Sequence, residues 1–408
     1  MMKTLTRFAL AVLAAVLLFA CTRPESETAP NRRVVLMYAA AYSNLSPSIA
    51  EDIRELCGGA IPAVGSGDVL LVYSHHTKYG RDYSTPTNPV LFRAYIDMDG
   101  KQRRDTITVY PETDVSSSAE VFHKVLCEVQ DLFPSQSYGL VFSSHARGWL
   151  PVDYEEPSSS YFNFFAPRRF PGLRVSENLP ETKWLGIENA EGSGIDIRDL
   201  ADAIPMKLDF FLLDACLMGC VEVAYELREK CNYVAFSPTE ILSNGFMYDS
   251  MASRLLNVQS PDLKQICQDY YEYYNSLTGN YRSATITLVD CRKTAALAEA
   301  CASIISAHRD GLAAADRNNV QAYFYNELHW FYDLRDLLEK AGATPEELAR
   351  LDSALSECVV YAAATPTFFN LKLDNVCGLS MYFPYPEKKE LNNYYKILSW
   401  NKATGLIQ

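Results

Sequence analysis

The sequence predicts an α/β protein built on a largely parallel sheet. Short, continuous apolar runs rich in β-branched and aromatic residues recur through the first 250 residues, as in strands buried on both faces. Amphipathic stretches lie between those runs, and strand–helix alternation is the signature of parallel crossover units. The composition is ordinary for a globular chain, with 48% hydrophobic and 21% charged residues among 408. It excludes a disordered, collagen-like or coiled-coil protein.

In chain order, the apolar runs 34–39, 69–73, 139–142 and 209–213 read as buried strands, and 46–56, 118–132, 198–204 and 217–230 as helices. Residues 92–96 and 106–110 flank the turn-forming pair Asp99-Gly100 and read as a hairpin. Within Asp97-Met98-Asp99-Gly100 the glycine comes too early for an EF-hand loop, so the segment reads as a turn and calcium gains no ligand loop. Residues 151–192, rich in Pro, Ser, Glu, Asn and Phe, lack periodicity; so long a loop in a compact domain is functional or mobile. Beyond residue 258 the pattern turns mainly helical, over 262–277, 292–307, 320–341 and 345–363, with strands at 284–289 and 378–383. The organisation expected is a core over 33–258 and a smaller, mainly helical C-terminal subdomain over 259–408.

The first residues form a separate unit. Lys3 and Arg7 precede the uncharged stretch 8–20. Crossing about 30 Å of hydrocarbon takes about 20 helical residues, so this stretch is too short to span a membrane. It has the length of a signal-peptide core, and 21–32 reads as a tether. The segment ends Leu17-Leu18-Phe19-Ala20-Cys21, which resembles a bacterial lipobox with Cys21 as the lipid-attachment site. The expected location is the bacterial cell envelope, anchored by lipid at the outer membrane or surface, with plain secretion as the alternative.

Net charge is −13, from 37 basic and 50 acidic residues, and the pI is near 5.0. Phosphate binding needs a basic face, so nucleic acid is not an expected partner. The eleven cysteines form neither a CxxC pair nor a disulfide framework, and most lie in apolar runs as small buried hydrophobes. Cys216 differs. In Asp214-Ala215-Cys216-Leu217-Met218-Gly219-Cys220 it follows a buried strand and leads toward a helix, a position whose dipole favours thiolate. His145 lies just beyond another buried strand, in Ser144-His145-Ala146-Arg147-Gly148-Trp149. Both then fall at the carboxyl edge of the sheet, where α/β proteins gather ligands. A His within reach of a Cys can take the thiol proton and create the attacking thiolate. Cys220, one helical turn on, reads as packing.

These two blocks resemble the clostripain family of cysteine peptidases, in the clan of caspases, gingipains and legumains. Residues 35–45 (VLMYAAAYSNL), 237–248 (SPTEILSNGFMY) and 378–384 (GLSMYFP) carry the resemblance further. It implies a caspase-like three-layer sandwich and endopeptidase cleavage of proteins or peptides after Arg, with Lys second, through a thioester acyl-enzyme. Cys216 would be the nucleophile and His145 the general base and acid. Backbone N–H groups of Ala146 and Cys216 would form the oxyanion hole. Asp214 would bind the basic side chain of substrate, and Glu240 is a weaker candidate for the same pocket. No cofactor is implied as required, although calcium supports some members. Self-cleavage between His145 and Cys216 is also implied, and Arg168, Arg169 and Arg174 offer basic sites for it. Family members commonly carry Gly directly after the His, whereas this chain has Ala146 and then the bulky Arg147. If that position needed positive φ, Ala would cost about 1–2 kcal/mol, and Arg147 could enter the acidic pocket. On those two residues rests a second reading, a weakened or inactive surface lipoprotein that binds peptides or partner proteins.

Overall fold

Nine strands form one sheet, and its centre is the expected parallel array. The computed structural model describes residues 30–41, 45–76, 87–152, 154, 179–183, 194–324 and 330–408. The signal segment, Cys21, Arg168, Arg169 and Arg174 lie outside the described residues.

The strands are β1 (Arg33–Ala41), β2 (Asp68–His76), β3 (Val90–Ile96), β4 (Gln102–Val109), β5 (Tyr138–Ser143), β6 (Leu208–Asp214), β7 (Cys231–Phe236), β8 (Thr285–Asp290) and β9 (Val359–Ala364). Their spatial order is β9-β8-β7-β6-β5-β1-β2-β3-β4. Strands β7 to β2 run parallel, while β3 and β4 on one side and β8 and β9 on the other are antiparallel. The described side chains of β1 from Val34 to Ala40 are buried, because helices cover both faces of a parallel sheet. One aromatic row fixes the register: Tyr38 lies opposite Tyr73 and Phe142, and its ring stacks on theirs at 4.4 and 5.6 Å. Such cross-strand pairs hold neighbouring strands in step.

Strand order reverses at β1. Right-handed crossovers in opposite directions then place helix α1 (Ser46–Gly58) on one face and α2 (Ala119–Leu132) on the other. Helix α1 packs against Tyr248–Leu255, which packs in turn on Leu263–Ser276. Helices Thr294–Ala307, Pro345–Cys358 and Ser399–Thr404 pack together as another group.

Two of the helices expected in the C-terminal third are shorter than their patterns. Of 320–341, only Leu334–Lys340 is helical among the described residues. Its aromatic residues serve tertiary contacts instead, with Tyr332 pairing with Met381 and Phe331 lying against Trp149. The helix expected over 345–363 stops at Cys358, and Val359–Ala364 pairs antiparallel with β8. β-Branched and aromatic residues at 359–361 fit that pleated edge. The C-terminal third thus supplies strands as well as helices within the compact unit Asn31–Gln408. The hairpin turn is as read: Asp97 Oδ1 accepts from the N–H groups of Asp99 and Lys101, and Gly100 has φ 74°.

Candidate active site

Ser143 ends β5, Asp214 ends β6, and the two are parallel neighbours in register. His145 and Cys216 each lie two residues further on, at adjacent strand ends on the carboxyl edge. The Cys216 turn is held by backbone hydrogen bonds rather than by a helix. Leu217 adopts φ 61°, and its N–H donates to Thr239 O at 2.9 Å. Gly219 N–H donates to Ser237 O at 2.8 Å, and Ser380 N–H donates to Gly219 O at 3.0 Å. A Cβ on Gly219 would lie 2.3 Å from Pro238 N, so this close approach admits only glycine. These contacts explain what the segments 237–248 and 378–384 do: both brace the turn that carries Cys216.

One expectation needs correcting. The helix after Cys216 begins only at Val221 and runs to Glu226, with Cys220 as its N-cap. Cys216 therefore lies beyond the reach of a dipole that acts within the first turn. Its thiol is fully buried, and burial, then the Glu240 carboxylate, push its pKa well above the usual thiol value. The Ile241 N–H, 3.2 Å from Sγ, and the Lys183 ammonium pull the other way without prevailing.

The segment 179–183 lies against the loop after β7 as an added antiparallel strand. Lys183 N–H donates to Ile241 O at 2.8 Å, Thr182 bridges Leu242, and Ser243 N–H donates to Glu181 O at 2.8 Å. The Lys183 carbonyl accepts from Ala146 N–H at 3.3 Å. Its side chain is wholly buried, and Nζ donates to Asp214 Oδ2, to Asp52 Oδ2 at 3.1 Å and to Ser143 Oγ at 3.0 Å. Tyr248 Oη donates to Asp214 Oδ2 at 2.6 Å and holds that carboxylate in place. Gly245, at φ 63°, leaves the ammonium its space, since a Cβ there would stand 2.6 Å from Nζ.

Charge balance decides the state of this pocket. Burial disfavours the Lys183 ammonium, but Asp214 and Asp52 outweigh it and raise the pKa above the ordinary lysine value. Burial pushes the Asp52 carboxyl up to about 8, with the ammonium opposing. A fully buried charge is tolerated only when paired and hydrogen-bonded, and here all three ammonium protons find acceptors.

Ala146 is not among the residues with positive φ; Gly148 carries that role in the loop at φ 61°. A Cβ on Gly148 would lie 2.6 Å from Leu217 O, so the His145 loop packs directly on the Cys216 turn. Arg147 does not enter the acidic pocket, since Nη1 donates to Val152 O at 3.2 Å and Nη2 to Tyr154 O. Behind the loop, Trp149 is buried against Tyr382, Tyr395 and Phe331. Glu240 meets the residue before Lys183, with Oε1 accepting from Thr182 Oγ1 at 3.3 Å, rather than the ammonium itself. Cys220 is buried beside Glu222. Among the described residues no group of three or more His, Cys, Asp or Glu side chains is placed to hold a metal ion.

Sequence reading missed Asp52, Lys183, Ser143, Gly245 and Tyr248. Gly245 and Tyr248 lay in the quoted 237–248 block without a role. Asp52 gave no signal, because an acidic residue on an amphipathic helix reads as solvated.

Comparison with known proteins gives the family and the fold. The model of the clostripain family, peptidases C11, matches residues 172–402. Clostripain from Hathewaya histolytica is 22% identical over 92% of this chain and 80% of its own. The inactive zymogen of a C11 protease from Parabacteroides distasonis superposes with a TM-score of 0.72 at 28% identity, covering 91% of this chain and 97% of that one. A secreted C11 cysteine protease from Bacteroides thetaiotaomicron, in complex with an irreversible peptide inhibitor, gives 0.72 at 25% identity, covering 91% and 98%. The fold is thus that of C11 proteases, and the chain belongs to the clostripain family of cysteine peptidases.

Proposed function

We propose that this peptidase cleaves after basic residues through Cys216 and His145, and that its first substrate is its own Lys183–Trp184 bond. The supporting observation is the lysine held in substrate fashion: backbone paired to Ile241 and Ser243, carbonyl facing the Ala146 N–H, ammonium clasped by acids. Cys216 Sγ attacks the Lys183 carbonyl carbon while His145 takes the thiol proton. The oxyanion is held by the N–H groups of Ala146 and Cys216. Removing such a donor costs about 3–4 kcal/mol of transition-state stabilisation. The C–N bond then breaks as His145 gives its proton to the leaving amine, and water hydrolyses the thioester.

In the uncut chain the thiol is buried against Ile241, the residue whose carbonyl pairs with the Lys183 N–H. The likeness to a zymogen from Parabacteroides distasonis supports the same reading. Arg168, Arg169 and Arg174 offer further basic cut sites, but the residue seated in the pocket is Lys183. The backbone of Ala146, without positive φ, and the tie of Arg147 into its own loop support an active enzyme over a weakened relative. Attachment to the envelope through Cys21 belongs to the same proposal, and labelled fatty acid should be lost in Cys21→Ala.

Cys216→Ala is expected to abolish turnover of a fluorogenic peptide with Arg or Lys at the cleaved position. Residual turnover equal to wild type would exclude Cys216 as nucleophile.

A further inference from the structure

Three ammonium protons meet the Asp214 carboxylate, the Asp52 carboxyl group and a hydroxyl at the base of the pocket, and these acceptors do not serve every basic side chain alike. The lysine ammonium is a compact point charge with three donors. All three are taken here, by Asp214 Oδ2, Asp52 Oδ2 and Ser143 Oγ. Asp214 presents a second oxygen, Oδ1, which is buried and lacks a hydrogen-bond partner while lysine occupies the pocket. That oxygen faces the same space, since a Cβ on Gly245 would stand 2.9 Å from Oδ1 and 2.4 Å from Oδ2. An arginine guanidinium is a planar fork that binds both oxygens of one carboxylate in parallel. Two of its five N–H groups can therefore be taken by Asp214 in parallel, a pairing that does not draw on Asp52.

We infer that Asp52 is a specificity-determining residue: Asp214 binds either basic side chain, whereas Asp52, reaching over from α1, selectively supports lysine. This rests on the proposed basic pocket and deepens it. The Asp52 side chain accepts from Lys183 Nζ, and its 2% exposure leaves little room for water to replace that bond. Once Lys183 leaves, an incoming lysine finds the same three acceptors. Without the Asp52 acceptor one of its protons would be buried unpaired, whereas the bidentate pair of an arginine with Asp214 would remain.

The test compares peptides that differ only in Lys or Arg at the cleaved position, with kcat/KM normalised to Cys216 titrated by an alkylating agent. Asp52→Ala should lower kcat/KM for lysine by about 10- to 100-fold, the scale of a lost bond to a charged group, and for arginine by less than about 3-fold. Asp52→Asn, which keeps an acceptor, should restore most of the lysine activity. Retained arginine turnover shows that the variant is folded. Equal losses on both peptides, or no loss on either, would overturn the role of Asp52 and leave the basic pocket standing. A wild type that cleaves after neither residue would overturn the basic pocket and this inference together.

Discussion

Asp214→Asn is expected to lower kcat/KM by about 10²–10³-fold for peptides with Lys or Arg at the cleaved position. The carboxylate is fully buried, and removing one partner of a buried ion pair leaves the other uncompensated, at a cost of about 3–5 kcal/mol. Asparagine keeps the shape and can still accept from Tyr248, so the fold should survive. The loss belongs to substrate recognition and should be much smaller for a peptide with an uncharged residue at that position. Steady-state kinetics on matched peptides decide the matter. Equal losses on charged and uncharged peptides would mean that Asp214 only supports the Cys216 turn.

Gly245→Ala is the second large effect. The new methyl would lie 2.6 Å from the position of Lys183 Nζ and 2.4 Å from Asp214 Oδ2, nearer than non-bonded atoms approach. It would occupy the place of the ammonium. The positive φ adds strain of about 1–2 kcal/mol for any side chain. Expected is a loss of at least about 10²-fold on basic substrates, with thermal stability reduced only on the scale of that strain. Since Lys183 could no longer seat, cutting at Lys183–Trp184 should stop as well. A variant that still cuts itself there at the wild-type rate would place the ammonium elsewhere.

How much of this was legible follows from the length scale of each signal. The strands at 34–39, 69–73, 139–142 and 209–213 were readable because a buried parallel strand writes a continuous apolar run, and β1, β2, β5 and β6 contain those runs. His145 and Cys216 were readable for the same reason, each standing just past such a run. The segment 359–364 was not, because an apolar run joined to a helix of matching pattern is indistinguishable from more helix until β8 supplies its partner.

The pocket itself was half legible. Asp214 stands two residues from Cys216 and was read with it. Lys183 and Asp52 are 131 residues apart, and only the fold brings them within 3.1 Å. A lysine in a polar, proline-bearing stretch reads as solvated by default, yet here it is the least exposed cation of the site. The arginines at 168, 169 and 174 drew attention for their charge alone, whereas seating Lys183 required a strand pairing that no local pattern announces.

The self-held lysine is the centre of this picture, and N-terminal sequencing with intact mass tests it most directly. Wild-type chain and Cys216→Ala are purified, incubated and compared. The expected result is a new N-terminus at Trp184 in the wild type, a single uncut chain in Cys216→Ala, and loss of that cut in Lys183→Ala. A wild type that never breaks after Lys183, or a Cys216→Ala chain that breaks there equally well, would contradict it.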